Sequence, residues 1–440
     1  MPSDESAHLK RTLGFWALLA YGVGDMLGAG IYALVGKVAG YAGHLAWVSF
    51  ALAMLAATLT ACVYAELASR YPRSGGAAYY CDRAFRRPEL SIFIGWLVLC
   101  SGLVSMATAS RAFAGYLTEL VPALPFTVGV CCFLLLIGAI AFRGIRESST
   151  SNIVCTSIEL TGLLIVIVTG LSFIFGSGAP QPGPAVTAEA AEATAWLPVL
   201  ILQGAGPAFF ACIGFEDVAN VAEEVKSPEK TIPRALLGAM AIVGIVYMLV
   251  AYIATSAVPP HVISESKAPL VAVIEKTAPW APLKLFSAIA MFAVANTSLL
   301  NCVMASRLIY GMARENLLPE WTGRVHPTRQ TPYIATLMVI SVALVLAVTG
   351  TVAPLAGTTS LLLLTVFIVV SCALLVVRRR EPGYTGFRVP WPVPAGSILI
   401  CAVLIVYSQY TSMAIALGIG IVGAVIALLR GSALAAPQAH

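Results

Sequence analysis

The sequence predicts an all-α integral membrane protein of about twelve transmembrane helices. Three observations predict it: too little charge for a soluble surface, long apolar runs, and basic residues confined to alternate loops. Of the 440 residues, 59% are hydrophobic and 11% are charged, where soluble domains carry roughly 25% charge. The mean hydropathy is +0.88. A soluble fold of this composition could not dress its surface, whereas runs of about 20 apolar residues match the thickness of a bilayer.

The apolar runs fall at 13–38, 45–69, 90–120, 125–142, 152–175, 197–225, 233–258, 283–311, 332–350, 358–377, 393–410 and 411–429. Backbone groups in lipid must be satisfied within their own segment, so each run is expected to be a helix. The short alternating strands of a barrel are not seen. With the N-terminus in the cytoplasm, the inner loops collect Lys10, Arg11, Arg70, Arg73, Arg83, Arg86, Arg87, Arg314 and Arg378 to Arg380, among others. The outer loops hold only Lys37, Lys267, Lys276 and Lys284. This positive-inside asymmetry supports an even number of spans with both termini cytoplasmic. The net charge of +5 therefore reports topology and not a nucleic-acid footprint. A cell membrane, inner or plasma, is the expected location. The first run is too long for a cleavable signal.

Other function classes find little support. The five histidines sit in loops or tails without ligand spacing. The ten cysteines lie mostly inside spans, where they act as small apolar residues, and no pair has zinc-ligand spacing. No catalytic residue, metal or cofactor is expected, and the chain is not read as an enzyme. No repeated filter or ring of charge suggests a channel.

Two runs carry helix breakers. The first reads GVGDMLGAG at 22–30, with Gly22, Gly24, Gly28 and Gly30 around Asp25. The sixth carries Gly204, Gly206, Pro207 and Gly214, followed by Glu216 and Asp217. Glycine inside a helix costs roughly 1 kcal/mol relative to alanine, so both runs are expected to be interrupted. Interrupted helices in corresponding positions of two halves mark the binding site of many transporters. The single transmembrane domain then divides into a cytoplasmic segment (1–12), a first inverted repeat (13–175) and an outer loop (176–196). A second repeat (197–377), two added helices (378–430) and a tail (431–440) follow. The outer loop, rich in Gly, Pro and Ala, reads as a flexible connector, and the tail as disordered. Interruption frees amides that bind a carboxylate and carbonyls that bind an ammonium, a pair of charges that an amino acid carries on one carbon. The alternative is close helix packing through small residues, for which Gly24 and Gly28 have the spacing.

At these residues the sequence resembles the amino acid–polyamine–organocation superfamily. GVGDMLGAGIYALVG (22–36) is similar to that family's first-helix motif, and the stretches at 64–85, 209–236 and 305–321 resemble its second-helix, sixth-helix and eighth-helix regions. The cationic amino acid transporter-like branch is the nearest in character. The resemblance implies a LeuT-type fold of 5+5 inverted repeats plus two helices, and secondary active transport by alternating access. By position it implies that Gly28, Ala29 and Gly30 offer amides to a substrate carboxylate. Val23, Gly24, Ala211 and Ile213 would offer carbonyls to its amine, and Phe209 and Phe215 would wall or gate the pocket.

Three positions depart from the family's pattern: Asp25, Cys212 and Glu159. An acid at the centre of a span costs about 2.5–3.5 kcal/mol, so Asp25, Glu159, Glu216 and Asp217 are functional candidates. Asp25 either contacts a substrate amine or caps freed amides. Glu159 is the proton-coupling candidate, or pairs with Arg111 or another buried polar group. Sodium is the competing ion, with Thr297 and Ser298 as oxygen donors. Glu216 and Asp217 border an outer gate or a water-filled vestibule. Glu66, Glu223 and Glu224, near the inner face, either pair with basic loop residues when an inner gate is shut or, as the preferred reading, form a solvated edge. The expected partners are an amino acid or amine and the lipid bilayer. A polyamine carrier using Asp25 as counter-charge and a non-transporting amino-acid sensor remain as alternatives. Proton coupling and exchange both stay open.

Overall fold

A backbone removed from water must satisfy its hydrogen bonds locally, and the apolar runs fold mostly as helix. The computed structural model describes residues 11, 13–73, 75–143, 149–176, 196–314, 318–327, 329 and 331–435. The expected connector at 177–195 and the end of the tail at 436–440 lie outside the described residues. Among the described residues the only β-type pairing is an isolated bridge between Leu13 and Val225.

In chain order the helices are α1 (Phe15–Met26), α2 (Ala29–Ala42), α3 (Ala46–Arg70), α4 (Gly76–Phe85), α5 (Pro88–Leu120), α6 (Phe126–Arg143), α7 (Ser149–Gly176) and α8 (Leu197–Ala211). There follow α9 (Pro228–Ala257), α10 (Pro260–Glu265), α11 (Pro269–Thr277), α12 (Leu283–Arg314), α13 (Tyr333–Thr349), α14 (Val352–Arg380), α15 (Pro392–Val406) and α16 (Tyr410–Ala435). Among the described residues, eight helical stretches are long and apolar enough to cross a membrane, with Ala29–Arg70 taken as one. Helices α8, α13 and α15 are apolar but shorter. Several helices, among them α5, α9, α11 and α15, open on proline, which suits a first turn because it has no N–H to leave unsatisfied.

Helix α3 packs on α9, α5 on α12, and α2 on α8. These seams are built from small residues, which let backbones approach where lipid offers no hydrophobic drive between helices. A Cβ on Gly30 would run into the Ala211 backbone, and one on Gly36 into the carbonyl of Ile263. The outer helices do the reverse. Leu135, Leu136, Phe175, Leu428 and Leu429 are exposed, a surface suited to acyl chains and not to water. The chain is a multi-pass helical membrane protein.

Two expectations need correction here. Helix α1 runs on through Gly22 and Gly24 and stops only at Met26, so the interruption is confined to Leu27 and Gly28. Those earlier glycines are occupied by packing: a Cβ on Gly24 would strike the Thr156 hydroxyl. Glu66 is no solvated edge. It is fully buried and accepts hydrogen bonds from Arg70 Nη2 at 2.7 Å, Arg378 Nε at 3.0 Å and the Val389 amide at 2.9 Å. This network ties α3 to the end of α14 and to the segment before α15. A charged carboxylate this far from water needs such partners, because burial alone costs several kcal/mol.

Candidate substrate site

The first interruption is short and its freed groups are shared out among neighbours. The Gly28 amide turns back to the Met26 carbonyl at 2.8 Å, away from its helical partner, Gly24 O. The Ala29 amide donates to Thr297 Oγ1 at 3.0 Å, so α12 supplies the cap that α2 lacks in its own sequence. The Met26 carbonyl also accepts from the Tyr247 hydroxyl of α9. Gly28 is needed because a Cβ there would fall on Thr297 Oγ1.

The second interruption is longer. Helix α8 survives Pro207 and ends at Ala211. Gly214 then takes φ 119°, a backbone region that favours glycine, and a Cβ there would lie 2.9 Å from the Asp25 carbonyl carbon. Beyond it come 3-10 turns at Phe215–Ala219 and Ala222–Glu224. The expected second half-helix is therefore not α-helical. Its end is stitched to the chain before α1: the Leu13 amide donates to Glu224 O at 2.9 Å and the Lys226 amide to Leu13 O at 2.8 Å.

The two interruptions meet, and a cavity of about 650 Å³ opens between them. Asp25, Gly28, Ala29, Gly30, Ala211, Ile213, Glu216 and Thr297 line it. Val23, Gly24, Phe209, Cys212, Phe215, Glu159 and Ser298 lie outside that lining. The Val23 carbonyl accepts from the Leu27 amide at 2.9 Å. Phe209 and Phe215 are buried with Phe367, with ring centroids 6.1 and 5.2 Å away, and Cys212 is buried beside them. Phe210, one residue from the expected position, is on the lining, together with Tyr21 and Tyr64. Hydrophobic periodicity cannot separate adjacent phenylalanines at a helix end.

The cavity reaches one face of the protein. It runs from the interruptions to Gly75, Gly76, Ala77 and Ala78, to Val221 and Glu224, and to Arg307. Glu216 and Asp217 thus lie along this vestibule and not at a gate on the far side. On that far side α10 packs against α2, Lys37 donates to the Ser264 carbonyl, and the Tyr116 hydroxyl donates to Tyr32 O at 2.7 Å.

The lining is acidic. Asp25, Glu216, Asp217 and Glu224 contribute carboxyls, and among the described lining residues Arg307 is the one base. Asp25 and Asp217 stand together on this lining. Glu216 Oε2 accepts from the Gly214 amide at 2.9 Å, and Asp217 Oδ1 from Asn220 Nδ2 at 2.8 Å. Asp25 Oδ2 is buried with no hydrogen-bond partner among the described residues. An acceptor left in this state asks for a donor from outside the chain.

Glu159 sits behind the first interruption on α7, fully buried. Its Oε1 accepts from Asn296 Nδ2 at 2.9 Å, its Oε2 has no partner among the described residues, and its own carbonyl accepts from Tyr32 at 3.0 Å. The alternative partner Arg111 is elsewhere, donating to Ala347 O at 2.6 Å. Ser298 Oγ is also buried without a partner among the described residues. Sequence reasoning missed Asn296, Asn301 and Tyr247. The two asparagines had a readable signal, since amides are costly inside apolar helices. Tyr247 had none, being an ordinary aromatic on an apolar face. Among the described residues no three His, Cys, Asp or Glu side chains group to hold a metal ion.

The profile described as "Amino acid permease" matches residues 13–429. The chain belongs to the amino acid permease family. The permease is 28% identical to the methylthioribose transporter of Bacillus subtilis (strain 168), over 90% of this chain and 88% of that protein. It is 26% identical to the branched-chain amino acid permease BcaP of the same organism, again over 90% and 88%. It is 32% identical to the chloroplastic cationic amino acid transporter 9 of Arabidopsis thaliana, over 74% of this chain, which spans 59% of that longer protein. The permease is not an enzyme.

Proposed function

We propose that this permease is a secondary active transporter that carries amino acids across the cell membrane by alternating access. The observation that carries the reading is the acidic cavity at the meeting of the two interruptions, which reaches one face while α10 and Lys37 cover the other. In this reading the helices make twelve crossings arranged as two inverted repeats of five plus two, with both termini cytoplasmic. The cavity then faces the cytoplasm. The substrate carboxylate lies against the start of α2, where Gly28 to Gly30 present backbone at the positive end of the helix dipole. The substrate ammonium lies against the carbonyl end of α8 near Ala211, and Asp25 Oδ2 accepts from it or from a second amine on a longer side chain.

Coupling is assigned to a proton at Glu159. A carboxyl that is fully buried, half-satisfied by Asn296 and packed behind the α1–α2 interruption can report protonation to the substrate site. Exchange of one amino acid for another uses the same cavity. Sodium is the second reading for the ion, supported by the orphaned Ser298 hydroxyl beside Thr297. A non-amine substrate is the second reading for the cargo, because a relative of similar length is named for methylthioribose.

The test is counterflow in proteoliposomes with arginine, leucine, putrescine and methylthioribose, at two pH values and with or without sodium. Saturable flux of amino acids supports the proposal, and a preference for arginine or putrescine supports direct contact with Asp25. Flux of methylthioribose alone moves the assignment to a neutral cargo. Binding without flux for every compound identifies a sensor and overturns the transport reading.

A further inference from the structure

Beside the mouth of the substrate cavity lies a second cavity of about 980 Å³, built from different residues. Its walls come from three places in the chain: Arg11 before α1, Arg70 and Arg73 at the α3–α4 connection, and Arg83 on α4. Two acids, Asp82 and Glu223, share the lining, so four guanidinium groups meet two carboxylates. The arginines are not alike. The Arg70 side chain is 1% exposed and its Nη2 is held on Glu66. Its Nη1 is buried with no hydrogen-bond partner among the described residues. Tyr384 lies against the Arg70 guanidinium, with its centroid 4.3 Å from Cζ, and Tyr71 takes Arg83 on its ring at 5.4 Å. Rings in these positions hold planar guanidiniums in place.

A buried donor without an acceptor is costly, and Arg70 stands at the wall of a cavity shared with three more arginines. Forked guanidinium donors suit the tetrahedral oxygens of a phosphate, which accept in pairs. We infer that this cavity is a binding site for a phosphate group, held by the exposed guanidiniums of Arg73, Arg83 and Arg11, with the buried Arg70 side chain adding its charge from behind the wall. Two sources present that chemistry at a membrane face: the headgroup of an anionic phospholipid, and soluble phosphate. An occupant would bridge the segment before α1, which is stitched to Glu224 and Lys226, to the end of α3. It would thereby hold together parts of the chain that flank both interruptions.

Arg70 also serves Glu66, so the test substitutes the rim. The full chain, with and without the double change Arg73→Gln and Arg83→Gln, is titrated calorimetrically in neutral detergent. The titrants are short-chain phosphatidylglycerol, short-chain diacylglycerol and inorganic phosphate. Saturable binding of phosphatidylglycerol but not diacylglycerol, weakened at least about tenfold by the double change, supports the site. Equal binding of inorganic phosphate assigns the soluble source, and a need for acyl chains assigns the lipid. Unchanged affinity in the double variant, with the unfolding temperature preserved, overturns the inference. So does the absence of saturable binding for both phosphate compounds.

Discussion

Glu66 and Asp25 are both carboxylates placed inside apolar helices, and their surroundings are opposite. Glu66 has two arginines and a backbone amide on its two oxygens. Asp25 has other acids for neighbours, Asp217 and Glu216, with Glu159 also near enough to act on it electrostatically, and one oxygen without a partner. The difference separates an acid that holds the protein together from one that waits for a ligand. A satisfied buried charge costs little once formed and a great deal to break. A cluster of buried acids with an unused acceptor stays destabilising until a donor arrives. Insertion cost alone does not distinguish the two, because both residues incur it.

The strongest challenge to this contrast is the removal of each acid in turn. Glu66→Ala leaves Arg378 and Arg70 without their carboxylate and should lower stability by about 3–5 kcal/mol, read as an early thermal unfolding transition in detergent. Asp25→Asn should leave that transition nearly in place while weakening amine-bearing substrates about tenfold to a hundredfold, the worth of a charge-assisted hydrogen bond. If Asp25→Asn destabilises as much as Glu66→Ala and leaves affinity intact, the contrast fails and Asp25 is a cap.

Smaller effects sharpen the picture at the α1–α2 interruption. Gly30→Ala forces a Cβ against the Ala211 backbone and should cost roughly 1–3 kcal/mol, more than Gly28→Ala, whose Cβ meets the side chain of Thr297. Unfolding curves for the two variants decide the order. Thr297→Val removes the acceptor of the Ala29 amide and should cost about 1 kcal/mol, visible as a modest loss of thermal stability. Glu159→Gln keeps the hydrogen-bonding shape next to Asn296 and should leave stability almost unchanged. Under the proton reading it flattens the pH dependence of uptake. An unaltered pH profile returns the coupling to sodium near Ser298.

Much of the fold was legible because lipid imposes a severe and local rule. Long apolar runs must be helices, and the runs read from the sequence fall mostly on helix, the part of the sixth beyond Ala211 excepted. The place of the interruptions was also legible, since Gly214 and Gly28 are needed for conformation or close approach. Their form was not. Gly22 and Gly24 look like helix breakers in sequence, yet α1 passes through both, because Ala239 and Thr156 fill the space beside them. The stretch after Gly214 looks like a helix in sequence and forms 3-10 turns.

The sequence by itself determined the class of the molecule, the run of helices and the residues around which a site could form. These are properties of segments, set by hydrophobicity and by backbone freedom within about ten residues. Only the tertiary structure decided which of those residues share the cavity. Phe210 and not Phe209 lines it, Asn296 and not Arg111 meets Glu159, and Glu66 joins Arg378 from 312 positions away in the chain. Such pairings depend on how helices rotate and pack against partners distant in sequence, and no local pattern encodes that rotation.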